Sequence, residues 1–430
     1  MSLSECRHAY RMAFGAVALL IFAAAASPSQ GKNLPVAILY DFCPQGDCSR
    51  TNSPAGLLAD GNGNLFGTNA DGGTHGGGTI FELSFNEVSG SWLYSELYDF
   101  CALASCADGK MPYATLIEDG QGNLYGTTSQ GGNTGWGTVF ELTTNHVLNV
   151  RYSFCPDGTT CADGATPVTP LTYSGASSGK PYDGTSPLYG TTYHGGTGEG
   201  AVFALSPAGG PTAWPETVIY NFVCCNQIGY DPTGLVMDLK GNLIGTTALG
   251  GLFVGSIFEL SPSGGGNWTT TDLHDFCQND SCADGADPRG QPIFDRLNNM
   301  YGVTSHGGET GFGLAYKLTP QSQNSPFVVL HNFCADSKCK EGMFPYGGLV
   351  RSPSGELFGT TAYGVYANSG TLFMLHKSKA RVLHAFCKET NCTDGSHVLS
   401  NLAVDKNGNL FGRTTGDTSN GEGAAFELTP

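Results

Sequence analysis

Four apolar-rich segments return along the chain in a fixed order. In the first complete period they span 56–60, 64–69, 79–84 and 93–100. The second segment centres on an apolar residue followed by glycine: Phe66-Gly67, Tyr125-Gly126, Tyr189-Gly190, Ile244-Gly245, Tyr301-Gly302, Phe358-Gly359 and Phe411-Gly412. These seven copies are 53 to 64 residues apart, and a period of that size marks a repeat architecture. Asp60-Gly61-Asn62-Gly63, between the first and second segments, is a hairpin signal, and Asp119-Gly120-Gln121-Gly122 repeats it. The third segment is nearly all apolar (Val139-Phe140, Val202-Phe203, Ile257-Phe258), as in a strand buried on both faces. The fourth ends in Tyr98-Asp99-Phe100 and its relatives, such as His274-Asp275-Phe276. Four strands per repeat predict a propeller blade, and seven repeats predict an all-β, seven-bladed β-propeller of four-stranded blades.

The ends of the pattern are offset. The chain opens with a fourth-type segment, 36–42, and finishes on a third-type segment, 424–428. Pairing the two closes the ring and removes two exposed edges. The glycine inside every second strand costs packing and entropy, so it is expected to mark a bulge or a close approach between blades.

Composition sharpens this picture. Glycine is abundant, 63 of 430 residues, while charged residues make up 13%, which suits short strands and Gly-rich turns. The net charge of −17 argues against nucleic acid, because phosphate contacts need Lys and Arg. Residues 1–30 carry a basic start (Arg7, Arg11), an apolar run and Ala24-Ala25-Ala26, and predict a secretory signal too short to span a membrane. The remainder, 31–430, is expected to be a single propeller, secreted or periplasmic, monomeric and without a membrane span or a carboxy-terminal anchor.

Fourteen cysteines fall one pair per repeat: Cys43/Cys48, Cys101/Cys106, Cys155/Cys161, Cys224/Cys225, Cys277/Cys282, Cys334/Cys339 and Cys387/Cys392. Local disulfides in an oxidising compartment are expected, and metal binding is disfavoured because no histidine recurs beside each pair. Cys224-Cys225 is read as a vicinal disulfide; a redox element, or two thiols pairing elsewhere, are the alternatives. Asp108, Asp163, Asp284, Glu341 and Asp394 follow the cysteines. They could ring the channel and bind Ca²⁺, but Asp-Gly turn chemistry is the preferred reading, and no cofactor is expected.

The disulfide loops and the Gly-rich loops between second and third strands should share one face. His75, His194 and His306 are placed in equivalent Gly-rich loops, with Trp136, Tyr193, Phe253, Phe312 and Tyr366 as aromatics for stacking on sugars. Histidines on blades this far apart are too widely separated for a shared metal. No nucleophile elbow or phosphate loop stands out.

The phrases Asp-Gly-x-Gly-Asn-Leu-Phe/Tyr-Gly-Thr-Thr and Gly-Thr-Val/Ile-Phe-Glu-Leu resemble the GloVer repeat of secreted bacterial choice-of-anchor tandem repeat proteins. The resemblance covers 36–430. It implies a propeller-like extracellular protein, often surface-anchored, and brings no established activity. Departures are Val303 and Arg413 at the usual Thr, Lys317 and Met374 at the usual Glu, and an insertion at 172–186. Three functions follow as expectations: a module binding a glycan or cell-surface protein, an extracellular carbohydrate-active enzyme, or a structural envelope component.

Overall fold

In each blade the second-strand glycine lies opposite an aromatic ring on the third strand. Gly67 pairs with Phe81, Gly126 with Phe140 and Gly302 with Tyr316. A Cβ on Gly126 would sit 2.7 Å from Phe140 Cζ, and one on Gly359 would sit 2.6 Å from Phe373 Cζ. The ladder is regular at these glycines, and no neighbouring blade supplies the clash. The expected bulge or blade-to-blade approach is therefore corrected: the glycine makes room for a ring of its own blade.

That ring also reaches sideways. The phenylalanine ending each fourth strand packs against the third-strand ring of the next blade. The pairs are Phe42–Phe81, Phe100–Phe140, Phe154–Phe203, Phe222–Phe258, Phe276–Tyr316, Phe333–Phe373 and Phe386–Phe426, with centroids 5.0 to 5.6 Å apart. Seven contacts between seven blades make a closed aromatic belt, and such rings dominate core energetics.

This computed structural model describes residues 34–42, 55–208, 213–223, 228–250, 254–278, 281–320, 325–336, 338–364, 369–376, 379–388, 392–416 and 423–430. The signal at 1–30, Cys43, Cys48, Cys224, Cys225, Phe253 and Tyr366 lie outside these residues. The described strands form seven antiparallel sheets of four, the blades of a β-propeller. Blade one runs Leu58–Ala59, Leu65–Asn69, Thr79–Asn86, Ser91–Asp99. Five more blades keep that order, starting at Ile117–Glu118, Ala165–Pro167, Tyr230–Met237, Ala286–Phe294 and Val350–Arg351. Blade seven takes Ala403–Val404, Leu410–Arg413 and Ala424–Leu428 from the end of the chain and Ala37–Asp41 from its beginning. Ala37 pairs with Glu427 and Asp41 with Ala424.

The ladder slips by one residue between third and fourth strands in all seven blades, for example between Ile80 and Phe81 and between Leu372 and Phe373. The skipped residue is Leu97, Ile219, Leu273, Leu330, Leu383 or Leu39, with Arg151 the exception. Such a bulge increases local twist. The insertion at 172–186 folds back on blade two, where the Tyr182 N–H donates to the Glu118 carbonyl (2.9 Å) and its ring packs on Tyr125. Among the described residues no helix is long and apolar enough to cross a membrane.

Candidate functional site at the channel mouth

First strands lie at the axis. A Cβ on Gly56 would meet Thr115 Oγ1 at 2.6 Å and Asn401 Cβ at 3.2 Å, residues contributed by three different blades. In the six blades where this segment is described, a residue in the left-handed region stands just before the first strand or in its first two residues: Met111, Thr166, Asp231, Asp287, Phe344 and His397, with φ between 53° and 59°. In five of the six a proline follows.

This conformation has a local purpose. It turns the backbone so that one residue bonds two blades. The Met111 N–H donates to the Gly77 carbonyl of blade one (2.8 Å), and the Met111 carbonyl accepts the Ser129 N–H of its own blade (3.0 Å). Thr166 donates to Trp136, Asp287 to Val254, Phe344 to Phe312 and His397 to Ser369 in the same way. The following proline packs on a glycine of the preceding blade, where a Cβ on Gly137 would lie 2.7 Å from Pro167 Cδ. Beyond that point burial alternates on blades two, three and seven, where the left-handed residue and those two and four positions later are the more exposed ones, whereas Asp287, Leu235 and Gly348 are buried at the matching positions of other blades.

A cavity of about 700 Å³ opens there, lined by residues from blades three to seven, including Tyr193, Asp231, Arg289, Tyr346, Tyr363 and Leu399. Its size is that of a ligand pocket. Its two halves differ chemically. On blades three to five, Tyr193 Oη donates to Asp231 Oδ2 (3.3 Å), and Asp287 Oδ2 accepts from Arg289 Nη2 (2.9 Å) and Ser305 Oγ (2.7 Å). Burial alone would raise the Asp287 carboxyl. Hydrogen bonds from His306 and Ser305, and the Arg289 guanidinium, outweigh it and hold the group below the usual carboxylate range. Arg289 also lies 5.6 Å over the Tyr346 ring. On blades five to seven, rings follow one another: His306–Phe344 (5.1 Å), Phe344–Tyr363 (5.9 Å) and Tyr363–His397 (5.5 Å).

Of the residues singled out from the sequence, Tyr193 lines this cavity and His194 stacks on its edge at 4.6 Å. His306 and Phe312 join it through Phe344, the latter at 5.4 Å. Trp136 is partly exposed and enters the frame through its carbonyl. His75 is not equivalent to the other two histidines. It lies eight residues after its strand glycine rather than four, and its Nδ1 bonds Asp99 Oδ2 at 2.8 Å, away from the cavity. Sequence reading missed Asp231, Asp287, Arg289, Phe344, Tyr346 and Tyr363. A signal was present in the X-Pro pairs at the start of five first strands, where X is Met, Thr, Asp or Phe.

The disulfide loops support this face. Cys101–Cys106, Cys155–Cys161, Cys277–Cys282, Cys334–Cys339 and Cys387–Cys392 are bonded. The acidic residue after each pair turns inward. Asp108 accepts from Tyr98 Oη (2.9 Å) and the Ala102 N–H (3.0 Å); Asp394 accepts from His384 Nε2 (2.8 Å) and the Cys387 N–H (2.9 Å). These carboxylates fasten the disulfide loop to the fourth strand. The Gly-rich loop rests on top, with the Gly132 N–H donating to the Cys106 carbonyl (2.9 Å). Among the described residues no group of three His, Cys, Asp or Glu side chains is arranged to hold a metal ion.

Solved structures similar to this chain include enzymes of low identity. A puromycin hydrolase is 10% identical with a TM-score of 0.51, over 85% of this chain and 50% of that one. A Mycobacterium tuberculosis puromycin-hydrolyzing peptidase is 11% identical with a TM-score of 0.50, over 89% and 52%. This chain thus spans about half the length of those two proteins. An α-L-arabinanase from Penicillium chrysogenum, solved with arabinobiose, is 13% identical with a TM-score of 0.45, over 93% and 98%. At such identities the likeness concerns the fold alone. Among curated proteins none matches the sequence. The Gloeobacter/Verrucomicrobia repeat matches three times, over residues 27–186, 174–337 and 255–430, and the chain belongs to that repeat family.

Proposed function

We propose that the protein is an exported binding module whose channel mouth takes a saccharide. The observation that carries this reading is the lining of the mouth: Tyr346 and Tyr363 on one side and the Asp231 carboxylate with the Thr169 and Thr233 hydroxyls on the other, in one cavity. Aromatic faces suit the C–H faces of sugar rings, and carboxylates suit their hydroxyls. The five described disulfides and the segment at 1–30 support an oxidising, extracytoplasmic location.

Hydrolysis is the weaker alternative. A glycosidase needs a carboxyl held protonated near neutral pH as well as an ionised one. Glu216 and Asp272, whose carboxyls are pushed up mainly by burial, do not line the cavity. Asp287, beside the mouth, is shifted the other way. Binding without turnover fits these carboxyls better.

A glycan array probed with the full chain, beside a pull-down from cell surfaces, tests the proposal. A family of related saccharides on the array, lost with Tyr363→Ala, is the expected result. A blank array with a protein recovered would move the partner to a surface protein, and two blanks would sink the binding reading.

A further inference from the structure

We infer that the left-handed position determines specificity where it borders the cavity, at Thr166, Asp231, Asp287, Phe344 and His397 on blades three to seven, and that this ring selects an uncharged oligosaccharide. The inference rests on the binding proposed above.

A residue other than glycine in this region is strained, most of all when β-branched or bulky, as Thr166 and Phe344 are. The chain uses glycine where only the backbone matters. Two residues before each of the six left-handed positions stands a left-handed glycine: Gly109, Gly164, Gly229, Gly285, Gly342 and Gly395. At the six positions themselves glycine is never used, although it would serve the inter-blade hydrogen bonds equally well. Ten of the other thirteen left-handed residues that are not glycine are disulfide cysteines, whose side chains are indispensable. By the same logic the ring side chains are kept for what they do.

What they do differs around the ring. Asp231 lines the cavity, Asp287 anchors Arg289, and Phe344 and His397 join the aromatic half. A purely structural position repeated six times would converge on one residue type; this one holds five. The ligand class follows from charge. The Arg289 guanidinium is neutralised by the buried Asp287, the Asp231 carboxylate lines the cavity, and the whole chain carries −17, so an acidic sugar is repelled. A neutral pyranose chain, with hydroxyls for Asp231 and ring faces for Tyr346 and Tyr363, meets no such penalty.

The test uses the full chain with cellohexaose, xylohexaose and mannohexaose as probes, and the variants Thr166→Gly, Asp231→Gly and His397→Gly. Calorimetric titration is expected to show at least a tenfold loss of affinity in each variant. Melting should show no loss of Tm, and a gain of about 1 °C where strain is relieved. Unchanged affinity in the three variants, with Tyr363→Ala still losing it, would overturn the ring while leaving the binding proposal intact. If the wild type binds none of the three probes, the ligand class is overturned. The melting arm still decides in that case: a fall in Tm across the variants would mean the side chains are kept for folding, which also overturns the inference.

Discussion

Arg413 Nη2 donates a 2.6 Å hydrogen bond to Asn69 Oδ1 and ties the last blade to the first. Nη1 adds a 2.7 Å bond to the Thr68 carbonyl, and the guanidinium lies 4.2 Å over the Phe42 ring. Burial pushes its pKa down to about 9, which leaves it charged at neutral pH. The other repeats carry Thr or Val at the Arg413 position and Thr at the Asn69 position. The two departures thus complement each other where the last blade meets the first.

Arg413→Thr restores the repeat's usual residue yet should destabilise by about 2–4 kcal/mol, because it vacates a buried site and removes the donors to the Thr68 carbonyl and the Asn69 side-chain oxygen. Adding Asn69→Thr should recover at least about 1 kcal/mol of that loss. Chemical denaturation of the double-mutant cycle measures the coupling; strict additivity would refute that complementarity.

Gly126→Ala places a methyl 2.7 Å from Phe140 Cζ and 2.8 Å from Leu116 Cδ2. An overpacking loss of about 1–3 kcal/mol is expected. Phe140→Leu in the same chain should relieve part of it, so the double variant should lose less than the sum of the singles. Equilibrium unfolding in urea reads this directly.

Glu216, on the outer strand of blade three, has its carboxyl pushed up to about 7, by burial first and then by Asp163. A raised acid binds its proton more tightly in the folded state. Its contribution to stability is therefore full below about pH 4.5 and is lost as pH rises through about 7. Glu216→Gln should leave melting at pH 4 nearly unchanged and stabilise by roughly 1 kcal/mol at pH 8, a figure already discounted for partial exposure. A pH series of thermal melts in both proteins provides the check.

Cys387→Ser with Cys392→Ser opens a loop whose ends are five residues apart. On the chain-entropy model about 2 kcal/mol should be lost. With the bridge gone the loop is held less tightly, by Asp394 through His384 and the Cys387 N–H, so protease should cut there first. Limited proteolysis with mass mapping locates the cut, and a first cut elsewhere would argue against the loop's anchoring role.

The repeat, the strand types and the local cysteine pairs were legible because each rests on short-range spacing. Gly67 and its six counterparts were recognised as constrained, but not why. Which ring fills a glycine's vacancy depends on cross-strand register, and the Gly67–Phe81 pairing is a tertiary fact. The acidic residues after the cysteines read as turns, whereas Asp108 and Asp394 reach across to Tyr98 and His384, ten residues away in each case. The channel mouth was the least legible part. Repeats draw the eye to what recurs, and Asp231, Phe344 and His397 share a backbone conformation without sharing a side chain.

The partnership of Ala37–Asp41 with Ala424–Leu428 has a consequence for how the molecule is made. The wheel cannot seal until its last-synthesised strand has left the ribosome, so the earlier blades must wait as an open arc. Sulfur bridges spanning five or six residues need no distant partner and can set while the arc is still growing. Local staples can therefore hold each blade in shape until the final one arrives.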